Sequence, residues 1–287
     1  VLERIAGAEP ERLVPWPASS GLDALILEVA VQTLAAEGIL LPGLARALAA
    51  RARPYVDAAG ETDWPEGVLA VLRAESRENV EVVDAAGKRR PLRFRVDRID
   101  RVDRVDRGDS AGLRFTDYKT GRPLSDKKTE ATRRANFLAR VRSGTYLQAV
   151  AYLLAAAGEP ARGRYLYLKP DAPEREFAVE SGDEEFAAAF DRAVRAVLSA
   201  WDSGSFFPRV VDTTGRKEPA RCAYCAVSEA CLRLDSGSRN RLFEWTQAAG
   251  ETTVSAEQSL LAVWRLPMKE PMSESESPEN GGGGEES

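Results

Sequence analysis

Two acids and a lysine carry the most specific chemistry in this sequence. Asp117-Tyr118-Lys119 closes an apolar stretch that starts at Leu113, and Thr120-Gly121 follow directly. Residues i and i+2 of a strand point to the same face, so Asp117 and Lys119 project side by side. Asp97 lies about twenty residues upstream, in Val96-Asp97-Arg98-Ile99-Asp100, and a neighbouring strand there adds a second carboxylate. Paired carboxylates suit a hard divalent cation such as Mg²⁺. Such an ion polarises a phosphoryl oxygen and activates water, while the lysine ammonium orients the nucleophile or offsets developing negative charge. Taken alone, Asp-x-Lys reads first as a surface ion pair; the apolar strand before it, the Asp-bearing strand upstream and the helix that follows reverse that reading. A following helix adds Gln148 and Tyr152, which share one face at i, i+4. There an amide and a phenol could hold a phosphate or the lysine; packing and surface polarity are the plainer reading.

Composition removes several alternatives. The 287 residues contain no histidine, which excludes Ser-His-Asp and Cys-His catalysis and Cys₂His₂ zinc fingers. Neither a phosphate-binding GxxxxGK[ST] nor a dinucleotide-binding GxGxxG occurs. No apolar run approaches the ~20 residues of a bilayer span, and no membrane partner is expected. The net charge is −5, and from Met268 onward six acids face one base, so the rest of the chain is neutral and free to meet a polyanion. The three cysteines follow Cys222-x2-Cys225-x5-Cys231, a spacing that suits metal ligation in a reducing compartment better than disulfides.

The periodicities predict helices over 22–39, 43–57 and 65–77, then a short strand at Val80–Val83 and a turn at 84–87. Strands follow over 91–102 and 113–119, a helix over 144–157, strands over 163–169 and 174–180, and a helix opened by Ser181 or Asp183. That order predicts an α/β layered core with a mixed sheet flanked by helices. We expect a helical N-terminal part over 1–77, a core over 78–210, a cysteine loop and closing segment over 211–245, and a mostly disordered acidic tail over 246–287.

Taken together, Val96-Asp97-Arg98-Ile99-Asp100, Asp117-Tyr118-Lys119-Thr120-Gly121, Gly144-Thr145-Tyr146-Leu147-Gln148 through Tyr152, and the three cysteines resemble the RecB/AddB-type nuclease domain of the PD-(D/E)XK nucleases, over about residues 75–235. The resemblance implies a restriction-endonuclease-like fold and a metal-dependent DNA exonuclease of a helicase–nuclease that acts in double-strand-break repair and recombination. Asp97, Asp117 and the Tyr118 backbone carbonyl would hold Mg²⁺ or Mn²⁺, Lys119 would assist attack, and Gln148 and Tyr152 would support the site and the DNA backbone. Cys222, Cys225 and Cys231 resemble three ligands of a [4Fe–4S] cluster, with zinc as the alternative metal; a fourth ligand is missing from this chain. A helicase–nuclease partner subunit and a bacterial, cytoplasmic, nucleoid-associated setting are implied as well.

Three departures qualify the match. Phe94 stands where the family usually has glycine, and Asp100, Asp103 and Asp106 compete with Asp97 for the first metal position. The opening Val1-Leu2-Glu3-Arg4 resembles a segment that follows a metal-binding histidine in the family, and the resemblance implies a C-terminal fragment of a longer protein, inactive when isolated. Lys127, Lys128, Arg133, Arg134, Arg140 and Arg142 form a basic cluster suited to phosphate or, equally, a solvated helix face. The alternating Asp/Arg run over 97–107 reads as a salt-bridged strand pair. Other readings are a CRISPR-associated or stand-alone RecB-like exonuclease, and a non-catalytic DNA-binding module that keeps the nuclease fold.

Overall fold

The computed structural model describes residues 1–7, 12–64, 68–102, 111–127, 129–172, 174–205, 225–227, 229, 231, 235–249 and 254–267. Six strands form one mixed sheet in sequential order: β1 (Arg12–Pro15), β2 (Val68–Val83), β3 (Arg89–Val102), β4 (Gly112–Lys119), β5 (Ala161–Tyr167) and β6 (Glu176–Glu180). Only β4 and β5 run parallel; every other neighbour pair is antiparallel. A parallel pair needs a crossover, and α4 (Glu130–Arg142) and α5 (Gln148–Ala155) supply it.

The sheet is covered on both faces. Ile99, Leu113, Phe115 and Tyr152 of α5 form one cluster, continued by Phe137 of α4 and by Phe186, Phe190 and Val194 of α6 (Glu184–Asp202). Asp183 caps α6 by accepting from the Phe186 N–H at 3.5 Å, so the second of the two expected openings is the one used. On the other face, α1 (Leu2–Ala6), α2 (Ser19–Ala36) and α3 (Pro42–Asp63) pack Ile5, Leu22, Ile26 and Val56 against Val14 and Val71. By length and composition α2 is apolar enough to cross a membrane, yet its Leu22, Ile26 and Ala30 are buried in the fold.

The structure corrects the helix expected over 65–77. That stretch enters β2, which pairs with β1 and then with β3 along most of its 16 residues. Val71, Val80 and Val82 are buried, and β-branched side chains suit a pleated surface. Glu75 has φ 51, which an α-helix does not tolerate. The hairpin to β3 turns where expected: Asp84 Oδ1 accepts from the Ala86 and Lys88 amides at 3.0 and 2.9 Å, and Gly87 takes φ 79.

The folded region also reaches further than the expected boundary at 246. Helix α7 (Ser236–Ala248) is followed by α8 (Ser255–Trp264), whose Leu261 is buried, and Leu266 packs on Ala193 and Ala196 of α6. The acidic stretch over 268–287 lies outside the described residues.

Candidate active site

The β3–β4 ladder sets where Asp97 lies. Its last pair is Arg98 with Thr116, and one further step would set Asp97 opposite Asp117. The Asp97 side chain interrupts the ladder there: its Oδ2 accepts the Tyr118 N–H at 2.7 Å. The N–H and C=O of one strand residue point to the same side, so the Tyr118 carbonyl lies on the edge that Asp97 occupies. Asp97 and Tyr118 also line a cleft of about 580 Å³, with Glu3, Tyr55, Glu75 and Thr120.

Asp117 is buried, 5% exposed, and Lys119 lies beside it as the i, i+2 spacing requires, with Nζ 2.5 Å from Oδ2. The two form a close charge-assisted pair, with the ammonium against Oδ2. Tyr152 donates to Asp117 Oδ1 at 3.4 Å and to the Arg95 carbonyl at 3.2 Å. Burial raises the Asp117 carboxyl above its ordinary value; Lys119 opposes the shift and Asp97 adds to it. A cation close to both acids removes that penalty. Lys119 also sits over the Tyr165 ring, 5.5 Å from its centre.

Tyr152 departs from its expected place. Its ring is fully buried between Phe94 and Phe115, with centroids 5.3 and 6.0 Å away. Burial raises its hydroxyl far above the ordinary value, so it stays a neutral donor to Asp117 and does not reach a DNA phosphate. Gln148 is exposed at the first turn of α5, near Tyr165, whose hydroxyl accepts from the Ala149 N–H at 3.3 Å. We expect Tyr152→Phe to reduce turnover at most about fivefold, the worth of one weak hydrogen bond. A loss beyond about 100-fold in a turnover assay would give this phenol a direct catalytic role.

Asp100 is engaged by arginines. Its side chain is buried and accepts from Arg98 at 2.7 and 2.9 Å and from Arg114 at 3.1 Å. Arg98 also donates to Asp63, the last residue of α3, at 2.6 Å, and to the Tyr118 hydroxyl. Arg164 adds a second contact to Asp63 and donates to Thr116 Oγ1 at 2.9 Å. Burial alone would raise the Asp63 carboxyl; Arg98 and Arg164 overturn this and hold it well below the ordinary aspartate value. This buried ionic network locks α3 against β3, β4 and β5 directly beneath Asp97 and Tyr118. Asp103 and Asp106 lie outside the described residues.

The basic cluster after Gly121 is largely neutralised within the fold. Arg133 pairs with Glu174 at 3.1 Å, Arg134 with Asp183 and Glu185 at 2.9 and 2.7 Å, and Arg142 with Glu185 at 3.7 Å. Arg140 packs over Tyr146, Lys127 is exposed, and Lys128 lies outside the described residues. Among the described residues, Arg133, Arg134 and Arg142 are therefore paired with acids of this chain. The acids that pair with them lie on other elements, about 40 to 50 residues away in sequence.

A family model for the PD-(D/E)XK nuclease superfamily matches residues 1–232. The chain belongs to the PD-(D/E)XK nuclease superfamily. A search of curated proteins and a search of solved structures gave no match. Membership agrees with the mixed sheet flanked by helices and makes the chain a nuclease-type phosphodiester hydrolase, in a superfamily that generally uses Mg²⁺ or Mn²⁺. Among the described residues no three His, Cys, Asp or Glu side chains cluster as a metal cage. What this PD-(D/E)XK site offers is two carboxylates, one of them buried, and a main-chain carbonyl on the same strand edge. All are hard oxygens, a set that Mg²⁺ accepts while keeping several waters.

The expected iron–sulfur set falls only partly within the described residues. Cys225 is an exposed free thiol and Cys231 a partly buried one, and Cys222 lies outside the described residues. The described residues do not supply a ligand set for a cluster or for zinc.

Proposed function

We propose that this chain is a divalent-metal-dependent deoxyribonuclease of the RecB/AddB type, acting on DNA ends in double-strand-break repair. The observation that carries this reading is the joined set of Asp97, Asp117 and Lys119: a buried carboxylate, a second on the adjoining strand, and an ammonium 2.5 Å from the first. Asp97, Asp117 and the Tyr118 carbonyl would hold Mg²⁺ or Mn²⁺. The ion supplies charge neutralisation at the phosphate and a more acidic water. Asp97 reaches the cleft, where the scissile phosphate would enter, and Lys119 stands one third exposed behind it. Its ammonium offsets charge that develops on the phosphoryl oxygens, and Tyr152 fixes the Asp117 carboxylate from the buried side. Gln148, exposed at the start of α5, would support the DNA backbone.

Lys119 tests this assignment. A group that acts on charge developing in the transition state lowers turnover when removed, and affects ground-state binding little. Lys119→Ala should therefore reduce kcat on linear duplex DNA by about 10²–10³-fold, the size of a lost oxyanion donor, with DNA affinity nearly unchanged. Normal turnover with weakened binding would make Lys119 a simple phosphate contact. Release of nucleotides from linear but not closed circular duplex distinguishes an end-dependent exonuclease from an endonuclease.

A further inference from the structure

The β2–β3 hairpin carries six arginines between residues 73 and 95. Four are matched to acids: Arg73 with Glu78, Arg89 with Glu81, Arg90 with Asp202, and Arg95 with Glu75. Arg77 and Arg93 have no ion-pair or hydrogen-bond partner among the described residues. The strand register makes this costly, because Arg77 lies directly opposite Arg95, and Arg93 opposite Asn79, one diagonal step from Arg77. Like charges directly across an antiparallel ladder repel. Alternation puts Val80 and Val82 in the core, while Arg77, Asn79, Arg93 and Arg95 are exposed. The hairpin thus holds a row of arginines at some expense to its own pairing.

The row leads to the site. Glu75, which holds Arg95, lines the same cleft as Asp97, together with the exposed Arg51 of α3. Arg93, Arg95 and Asp97 are alternate residues of one strand. At about 3.4 Å per residue, Arg93 stands ~14 Å from Asp97, a length of about four nucleotides of one duplex strand.

We propose that Arg77 and Arg93, with Arg95 at the cleft edge, form a phosphate-backbone track that delivers DNA to Asp97. This rests on the nuclease reading above and adds the surface that holds its substrate. Contacts of this kind position the polymer without reading its sequence. The repulsion between Arg77 and Arg95 is relieved when a polyanion lies over them.

The test is fluorescence anisotropy of a labelled linear duplex with the full chain in chelator, so that no cleavage intervenes. Parent, Arg77→Ala/Arg93→Ala and Arg192→Ala, an exposed α6 arginine, are compared across salt. Each lost phosphate contact flattens the log Kd versus log salt slope by about 0.9. The double variant should therefore lose slope by about 1.8, and its affinity should fall roughly tenfold less than the parent's between about 50 and 200 mM salt. Its affinity at the low-salt end should be at least about tenfold weaker, with a melting temperature no lower than the parent's. Arg192→Ala should behave as the parent. An unchanged slope in the double variant, or an equal loss in Arg192→Ala, overturns the track while leaving the nuclease reading intact. A parent that binds no DNA at all overturns both.

Discussion

Asp117→Asn should abolish Mg²⁺-dependent cleavage of linear DNA, by at least about 10³-fold, while DNA affinity changes less than about threefold. The substitution keeps the shape of the side chain and an oxygen for Tyr152, so packing around Phe94 and Phe115 is preserved. What it removes is the buried negative charge that a cation and Lys119 both require. Asp100→Asn is the informative control. Asp100 is buried among Arg98 and Arg114, which hold its carboxylate, so its loss should lower stability and leave cleavage in the folded fraction. The measurement is end-labelled DNA degradation beside anisotropy binding for both variants. Undiminished cleavage by Asp117→Asn, or a larger catalytic loss in Asp100→Asn, would move the site elsewhere.

The largest stability effect should come from Asp63→Ala. Asp63 joins two guanidiniums, Arg98 and Arg164, that are 1% and 2% exposed. Removing the shared carboxylate leaves both short of counter-charge in the interior, which costs about 3–5 kcal/mol for a broken buried pair. Asp100 and Glu176 retain part of the compensation, so the lower end of that range is expected in urea denaturation. A surface pair such as Arg134–Glu185 should contribute about 1 kcal/mol or less. Acid sensitivity follows with a definite sign. The folded carboxyl of Asp63 is depressed below its unfolded value near 3.8, so its stabilisation is complete above that pH and is lost as pH falls below it. The Asp63→Ala protein should show a shallower loss of stability on acidification below about pH 4. A destabilisation under about 1 kcal/mol would show that the network carries little of the fold.

The site was legible where its spacing was local. Asp117 and Lys119 are two residues apart on one strand, and period-2 geometry alone makes them neighbours. Helix α6 announced itself through Phe186, Phe190 and Val194 at four-residue intervals, and β4 through its apolar run. Features that depend on distant partners were not legible. Arg98 and Asp100 look like alternating surface charges until Asp63, 35 residues earlier, closes over them from the end of α3. Arg133, Arg134 and Arg142 looked like a phosphate patch because Glu174, Asp183 and Glu185 reach them only through the tertiary fold. The 65–77 segment has helical spacing, but pairing with β1 and β3 outweighs that local preference. The burial of Tyr152 was not legible: an i, i+4 spacing places two residues on one helix face without saying which of them is buried.

The central claim is that Asp97, Asp117 and Lys119 form one metal-dependent phosphodiesterase site. Its most direct test is a time course of nucleotide release from end-labelled linear duplex by the purified chain, in Mg²⁺ or Mn²⁺, then with chelator, then with metal restored. The account predicts degradation in metal, its arrest by chelator, recovery on restoring the ion, and none of this in Asp97→Asn. Cleavage that persists in chelator, an Asp97→Asn protein as active as the parent, or no cleavage with either metal would contradict it.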